Sequence, residues 1–170
     1  MSKLIAFSGT HGTGKTTSAG HLFLDLKYKY PNKSIHPFVD HEASCPFPIN
    51  TKATPETQLW LFHDKISREL SLLNLFDIVV TDRTVVDVIA YSACLGYDAL
   101  AASMFEDAKV YLSKYHQITF KKIDYNQFCY SDGIRETDDK LFRMQIEDYL
   151  SEYYEELIEG GYIPGAFKYA

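Results

Sequence analysis

Nine residues near the amino terminus have the types and spacing to hold the phosphate groups of a nucleotide. The segment from Gly9 to Thr16 reads Gly-Thr-His-Gly-Thr-Gly-Lys-Thr and satisfies the Walker A pattern G-x-x-x-x-G-K-[ST] at every fixed position. Its glycines let several backbone N–H groups face one anion, and a helix that follows adds the positive end of its dipole. In this pattern Lys15 reaches the β- and γ-phosphates and the Thr16 hydroxyl ligates Mg²⁺. The predicted phosphate contacts are Gly9, Thr10, His11, Gly12, Thr13, Gly14, Lys15, Thr16 and Thr17.

His11 occupies a variable position of the pattern, so we expect it to act through its backbone. The alternative for the whole segment is a glycine-rich turn with an accidental lysine. The context argues against that alternative, because an apolar run at residues 4–7 precedes the loop and a helical pattern follows Lys15. A strand, a glycine loop and a helix in this order are what phosphate binding requires.

A carboxylate and a guanidinium follow a second apolar run, at residues 78–81. Four apolar or β-branched residues followed by an acid form the Walker-B pattern, so Asp82 is predicted to hold Mg²⁺ directly or through water. The alternative is an aspartate that caps a helix. Arg83 is placed to clamp an anionic acceptor or a transferring phosphoryl group with paired hydrogen bonds. The alternative is an arginine on the surface.

Two acids follow the weaker strand pattern at residues 34–39 and compete for one role. Asp40 and Glu42 are both candidates for a general base, since one carboxylate near the γ-phosphate suffices to accept the proton of an acceptor hydroxyl. We favour Glu42. The alternative is that both carboxylates are simply solvated.

A polar, irregular stretch precedes the last helical pattern and favours a lid at about residues 124–143. Arg135 is the guanidinium that we expect such a lid to bring to the transition state, with Arg143 as a second candidate. Lys121 and Lys122 would add to the positive field. Basic residues on helices are usually solvated, and that is the alternative for this group.

Strands alternate with helices along the whole chain. Strands are predicted at 4–7, 34–39, 77–81 and 117–121, with a weaker last strand at 162–165. Helices are predicted from Lys15 to Pro31, from a cap at Thr54 onward, at 84–94, at 98–114 and before Gly160. Pro37 suits either a strand at the sheet edge or the end of a strand. This alternation predicts an α/β fold with a mostly parallel sheet covered on both faces, and ligands bind at the carboxyl ends of such strands.

The helix after Thr54 is predicted to bury one apolar stripe. Pro55 suits its first position and Glu56 its first turn. The stripe recurs at helical spacing and comprises Leu59, Phe62, Ile66, Leu70 and Leu73.

Length and charge narrow the function classes. A chain of 170 residues has the usual length of one domain, so we treat residues 1–170 as a single domain. The net charge of −6 argues against a surface that binds nucleic acid non-specifically. The three cysteines, Cys45, Cys94 and Cys129, lie far apart and predict reduced thiols. No leader or membrane-length apolar run is visible, so we expect a cytoplasmic protein.

Taken together, these residues resemble P-loop kinases of the thymidylate-kinase and deoxynucleoside-kinase type. The likeness is closer still to the ATPase/kinase-like branch that includes nicotinamide-riboside kinase. The residues that carry it are the loop from Gly9 to Thr16, Glu42, the stretch 45–50, Gln58, Trp60, the run 82–84, Asp87, Tyr91 and the stretch 132–135.

The resemblance implies a three-layer P-loop NTPase sandwich with a five-stranded sheet in the order 2-3-1-4-5. It also implies ATP and Mg²⁺ at the loop, and an acceptor between the second strand, the third strand and the helices that follow them.

Three functions remain open at this point. The favoured one is an ATP-dependent phosphotransferase that moves the γ-phosphoryl group to a nucleoside, a nucleotide or a similar small metabolite, with an uncharged acceptor slightly preferred. A polynucleotide 5′-kinase is disfavoured by the acidic balance and by the absence of a visible basic, aromatic-lined groove. The third is a nucleotide-binding switch or weak ATPase. The sequence does not indicate an oligomeric state.

Overall fold

The computed structural model describes residues 2–38, 42–124, 140–163 and 165–170. Within these ranges the strands are β1 (Lys3–Ser8), β2 (Ile35–Phe38), β3 (Ile78–Thr81), β4 (Tyr115–Phe120) and β5 (Ala166–Tyr169). The α-helices are α1 (Lys15–Lys29), α2 (Pro55–Leu75), α3 (Val85–Cys94), α4 (Asp98–Tyr111) and α5 (Lys140–Glu159). The strands form one sheet in the order β2-β3-β1-β4-β5, and the paired strands are parallel. The predicted fold class and strand order are confirmed.

The sheet separates two apolar layers because successive side chains of β1 point to opposite faces. Leu4 and Ala6 join the larger core, with buried residues of α2, α3, α4 and α5. Ile5 and Phe7 face Ala19 of α1 on the other side, where Leu22, Phe23 and Leu26 complete the layer. Helices therefore cover both faces, which makes the three-layer sandwich.

The position of β2 follows from its proline. Pro37 has no N–H to give to a ladder, so a strand that contains it suits the edge of a sheet. In the structure β2 pairs with β3 and lies at the edge, where Pro37 is in register with Val80. Of the two predicted positions for Pro37, the edge of the sheet is confirmed.

The start of α2 is confirmed, but only part of the predicted apolar stripe of this helix is buried. Thr54 is the N-cap, Pro55 begins the helix, and the hydroxyls of Thr54 and Thr57 each accept a hydrogen bond from the backbone N–H of the other. Leu59 and Leu70 of the predicted stripe are 39% and 41% exposed.

The buried face of α2 also carries two charged residues. Lys65 is 2% exposed and Glu69 is fully buried, and their charged groups lie 3.1 Å apart. Tyr111 and Tyr115 donate hydrogen bonds to Glu69 Oε2, at 2.6 and 2.9 Å. Apolar periodicity did not indicate that these two residues are buried, because their partners are distant in the sequence.

The last strand was placed four residues too early. Gly161, with φ of 71°, ends α5 in a left-handed cap. Its N–H binds the Ile158 carbonyl at 3.1 Å, and the N–H of Tyr162 binds the Leu157 carbonyl at 2.9 Å. Tyr162 is thus still engaged in capping the helix. Pairing with β4 begins only at Ala166.

The described ranges also bear on membrane-spanning helices and on the state of the cysteines. No helix there is long and apolar enough to cross a membrane. Cys45 and Cys94 are free thiols. Cys129 lies outside the described residues.

The buried tyrosines make a prediction about alkaline stability. Burial, followed by the negative charge of Glu69, raises the pKa of Tyr111 and Tyr115 well above the ordinary value. The folded protein therefore keeps protons that the unfolded chain loses above about pH 10. The stability that the protonated tyrosines contribute is fully present below that pH and is lost as the pH rises above it. We expect the free energy of unfolding to fall by up to about 1.4 kcal/mol per pH unit for each such tyrosine.

Urea unfolding between pH 8 and 11.5 measures this slope. Tyr111→Phe should make the slope shallower, whereas Tyr28→Phe should leave it unchanged because Tyr28 is 86% exposed. Equal slopes for wild type and Tyr111→Phe would show that Tyr111 ionises in the folded state.

Candidate active site

The glycine loop lies between β1 and α1, at the carboxyl end of a central strand. Two of its glycines are required by geometry. Gly9 has φ of 145°, and a Cβ there would lie only 2.4 Å from the Lys121 carbonyl oxygen. Gly14 has φ of 74° and is the N-cap of α1. The amino end of α1 thus begins directly at the loop, so its free N–H groups and the positive end of its dipole are available to an anion.

Lys15 lies across this loop. Its side chain is buried, and Nζ donates a hydrogen bond to the Thr10 carbonyl oxygen at 2.6 Å. The Thr13 hydroxyl donates to the same oxygen at 2.9 Å. Lys121, from the segment after β4, donates to Ser18 Oγ in the first turns of α1 at 2.7 Å. Two ammonium groups therefore lie at the loop, one from the motif and one from the end of a neighbouring strand.

The two predicted metal ligands meet. Thr16 Oγ1 donates a hydrogen bond to Asp82 Oδ2 at 2.7 Å, and Asp82 is buried. This contact follows from the sheet, because β3 lies beside β1 with Thr81 in register with Ala6. A hydroxyl and a carboxylate oxygen side by side are hard ligands of the kind that Mg²⁺ takes, so the residues fit the metal. The capping alternative for Asp82 does not hold, because the N-cap of α3 is Thr84.

Arg83 is paired with Glu42. One guanidinium nitrogen of Arg83 contacts Glu42 Oε1, and Arg83 is only 4% exposed, so it is not a surface arginine. Its guanidinium also lies over the ring of Tyr91, 5.4 Å from the centroid. The ends of β2 and β3 thus bring a carboxylate and a guanidinium together, as the parallel arrangement of these strands predicted.

A small cavity adjoins this ion pair. Its volume is about 20 Å³, close to the space that one water molecule needs. Its wall combines Arg83 and Glu42 with residues from the segment before α2, from α2 and from α3. The lining residues are Glu42, Ile49, Asn50, Ala53, Thr57, Gln58, Leu61, Arg83, Val88 and Tyr91. The Thr57 hydroxyl donates to the Pro48 carbonyl at 2.8 Å, and the Tyr97 hydroxyl donates to the Ala53 carbonyl at 2.9 Å. These bonds hold the segment before α2 in place as one wall.

Asp87 connects the loop to α3, a role that the sequence reasoning did not assign to it. Its carboxylate is fully buried and accepts hydrogen bonds from Ser8 Oγ at 2.9 Å and from the Gly9 N–H at 3.0 Å. It also accepts from the Thr84 N–H and hydroxyl, at 2.8 and 2.9 Å. An acid three residues after a threonine is a capping signal that could have been read in the sequence.

His11 contributes its side chain as well as its backbone, contrary to the expectation from the motif. Its Nδ1 lies 2.6 Å from the Tyr91 hydroxyl, and its ring is buried. Its carbonyl oxygen accepts a hydrogen bond from Arg143 Nε at 3.1 Å. The loop is thereby joined to the pocket-lining Tyr91 on α3 and to the first turn of α5.

The remaining predicted site residues lie in different parts of the chain. Asp40 and Arg135 lie outside the described residues, as does most of the lid expected at 124–143. Thr17 lies exposed in the first turn of α1. Lys122 lies 5.0 Å from the ring centroid of Tyr169 on β5.

The fold and the loop together define a class. A Walker A loop between β1 and α1, with the strand order found here, is a P-loop nucleotide-binding α/β fold. The chain belongs to the AAA domain family, which matches residues 4–159. A search of curated protein sequences finds no match.

Solved structures share this fold. A thymidylate kinase from Ehrlichia chaffeensis has a TM-score of 0.64 at 16% identity, over 99% of this chain and 92% of that one. A deoxyadenosine kinase from M. mycoides with the products dCMP and dCDP bound has a TM-score of 0.60 at 13% identity, over 98% of this chain and 88% of that one. The same enzyme with bound dATP gives 0.60 at 15% identity, over 99% and 90% of the two chains. The predicted resemblance to the fold of these P-loop kinases is confirmed.

The contact between Thr16 and Asp82 predicts how a charge-neutral substitution would act. Asp82→Asn should weaken the Mg²⁺-dependent part of ATP affinity by about tenfold or more, because hydrogen bonds and metal contacts of a charged group exceed those of an amide. Affinity without Mg²⁺ should change little. Titration of a fluorescent ATP analogue with and without Mg²⁺ measures both, and Asp107→Asn on the exposed side of α4 is the control. Equal losses in the two conditions would remove Asp82 from the metal site.

Asp87 predicts a large loss of stability. Asp87→Ala leaves buried donors of Ser8, Gly9 and Thr84 without their acceptor, so the free energy of unfolding should fall by about 3–5 kcal/mol. Asp98→Ala, at the exposed start of α4, should cost under about 1 kcal/mol. Urea unfolding of both variants makes the comparison. Similar small losses would show that water or a rearranged backbone replaces the Asp87 carboxylate.

Proposed function

We propose that this chain is a phosphotransferase that moves the γ-phosphoryl group of ATP to a hydroxyl of a small nucleoside-like or nucleotide-like acceptor. The observation that carries the proposal is the pairing of Glu42 with Arg83 in the wall of a small cavity, with Arg83 directly following the Asp82 that contacts Thr16. A nucleotide-binding fold that only binds or hydrolyses ATP has no need of a second, enclosed site lined by a base and a cation.

The loop residues would act on the nucleotide. Lys15 and the backbone N–H groups of the loop would neutralise the β- and γ-phosphates, and Lys121 would add a second ammonium. Thr16 and Asp82 would hold Mg²⁺, which when bound neutralises charge on the phosphate oxygens. The transition state of phosphoryl transfer is stabilised mainly by positioning and charge, so these groups would supply most of the rate.

The acceptor-side residues would complete the transfer. An acceptor hydroxyl oxygen forms the new bond to the γ-phosphorus, the bond from that phosphorus to the β–γ bridging oxygen breaks, and ADP leaves. Glu42 takes the hydroxyl proton, and Arg83 stabilises the transferring group or a phosphate already on the acceptor. Asp40 is still predicted as the alternative general base, and Arg135 is still predicted as the guanidinium that a lid would bring to the transition state.

The lining of the cavity favours a small acceptor over a polynucleotide. Residues of α2 and α3 form part of its wall, whereas a polynucleotide kinase needs an open channel that continues beyond the reacting end. A cavity of about 20 Å³ is too small for a nucleoside as it stands, so an acceptor requires its walls to move outward. The kinases that share this fold act on deoxyadenosine and thymidylate by name, which supports the acceptor class.

A panel of acceptors tests the proposal through ADP release. We expect nucleosides or their monophosphates to stimulate ATP consumption by the wild-type chain. Glu42→Gln should lower that stimulation at least about 100-fold while ATP binding persists, because general-base catalysis contributes this much. Glu56→Gln, an exposed acid in the first turn of α2, is the matched control and should leave the rate unchanged.

The remaining members of the panel separate the alternatives. Stimulation by a 5′-hydroxyl oligonucleotide alone would favour a polynucleotide kinase. ADP release that no acceptor alters would favour a switch or weak ATPase. If Arg83→Ala raises the KM for monophosphates more than for nucleosides, Arg83 holds an acceptor phosphate.

A further inference from the structure

A buried lysine lies behind the turn that carries Asp82 and Arg83. Lys65, on α2, is 2% exposed, and its Nζ donates a hydrogen bond to Thr81 Oγ1 at 3.0 Å. Thr81 is the last residue of β3 and directly precedes the two site residues. Nothing in the proposed reaction uses Lys65, and burying an ammonium is costly unless it is paired. The position of Lys65 therefore calls for an explanation.

The direction of each hydrogen bond follows from the donors. An ammonium group can only donate hydrogen bonds, so Thr81 Oγ1 must accept one from Lys65. The hydroxyl can then donate its own proton to another acceptor. That proton goes to the Arg83 carbonyl oxygen, at 3.3 Å. The bond from residue 81 to residue 83 closes a local turn around Asp82. Lys65 thus orients the hydroxyl that closes the turn.

Lys65 also lies against the end of the neighbouring strand. Its Nζ is 5.0 Å from the ring centroid of Phe38, the last residue of β2. Phe38 is in register with Thr81, and its carbonyl oxygen accepts a hydrogen bond from the Asp82 N–H at 3.3 Å. One ammonium group therefore contacts the last residues of both strands that lead to the Glu42–Arg83 pair.

Glu69 keeps Lys65 in this position from the other side. Glu69 Oε1 lies 3.1 Å from Lys65 Nζ. Tyr111 and Tyr115 donate to Glu69 Oε2, and burial followed by the charge of Glu69 raises the pKa of both hydroxyls, so they remain donors at neutral pH. A buried ion pair adds little net stability compared with an apolar replacement, so stability alone does not account for this one.

We propose that Lys65 is a positioning residue that, through the Thr81 hydroxyl, sets the turn at 81–83 so that Asp82 meets Thr16 and Arg83 meets Glu42. The part that concerns transfer to an acceptor rests on the proposed function. The part that concerns the metal-dependent binding of ATP does not, because it needs only the contact of Asp82 with Thr16.

The first test removes the hydroxyl and then restores it. Thr81→Val keeps the shape of the side chain but has no group to accept from Lys65 or to donate to Arg83. We expect the Mg²⁺-dependent gain in affinity for N-methylanthraniloyl-ATP to fall at least about fivefold, and the Mg²⁺-free affinity to stay within about twofold, on the scale of one lost buried hydrogen bond. Thr81→Ser should restore the gain. If Thr81 served only for packing, Thr81→Val, which keeps the shape, would retain the Mg²⁺-dependent gain better than Thr81→Ser.

The second test neutralises the ion pair without leaving one charge unpaired. Lys65→Met/Glu69→Gln keeps an acceptor for the two tyrosines, and we expect it to lose the Mg²⁺-dependent gain as Thr81→Val does. Asp64→Asn/Arg68→Met is the matched control, because Asp64 and Arg68 form an i,i+4 ion pair at 2.7 Å on the same helix, with Arg68 41% exposed. The control should bind as the wild type does.

Each result decides the proposal. An unchanged Mg²⁺-dependent gain in Thr81→Val, or an equal loss in the control pair, would overturn it, and so would a wild-type chain whose ATP affinity does not depend on Mg²⁺. If Lys65→Met/Glu69→Gln does not fold by circular dichroism, the Val and Ser variants at residue 81 carry the test. The proposed function fails by a different result, namely ADP release that no acceptor stimulates in the wild-type chain.

Discussion

The site depends on one buried carboxylate that must be satisfied. Asp87 has no access to water, and a buried carboxyl group is tolerated only when hydrogen bonds satisfy it. Its partners come from the end of β1, from the first glycine of the loop and from the start of α3. The need to satisfy Asp87 therefore fixes where the loop leaves the sheet relative to α3. That relation matters because α3 carries Tyr91 and Val88, which line the cavity beside the Glu42–Arg83 pair.

Two groups of buried polar residues in the described part of the chain meet at the end of β3. Asp87 and its partners hold the loop from the side of α3, with the Tyr154 hydroxyl 2.8 Å from Thr84 Oγ1 as a further contact from α5. Lys65 and Glu69 hold the other side of β3 from α2. Between the two groups lie Asp82 and Arg83. A site that binds charged phosphates gains from such rigid support, because preorganised charges need no rearrangement when the reaction occurs.

The sequence predicted the parts of this structure that depend on local pattern. The Walker A loop, the edge position of β2, the cap at Thr54 and the meeting of Thr16 with Asp82 all follow from motif, proline chemistry and the geometry of parallel strands. The two charged residues on the buried face of α2 could not be predicted in this way. In the sequence, Lys65 and Glu69 have the pattern of solvated residues. Their partners Tyr111, Tyr115 and Thr81 are distant along the chain and become neighbours only in the folded structure. The last strand was predicted too early because Tyr162, which was predicted to begin this strand, caps the end of α5.

The described part of this acidic chain gathers several cations around the glycine loop. The net charge is −6, yet Lys15, Lys121 and Arg143 all contact the loop or the first turns of α1, and Arg83 lies at the next strand end. They come from four separate stretches of sequence, so a count of charges along the chain does not reveal the group. Partly buried charges are screened less by salt than exposed ones. The same arrangement explains why Glu42 is needed beside Arg83: without a carboxylate partner, a buried guanidinium would be costly in the absence of a bound anion.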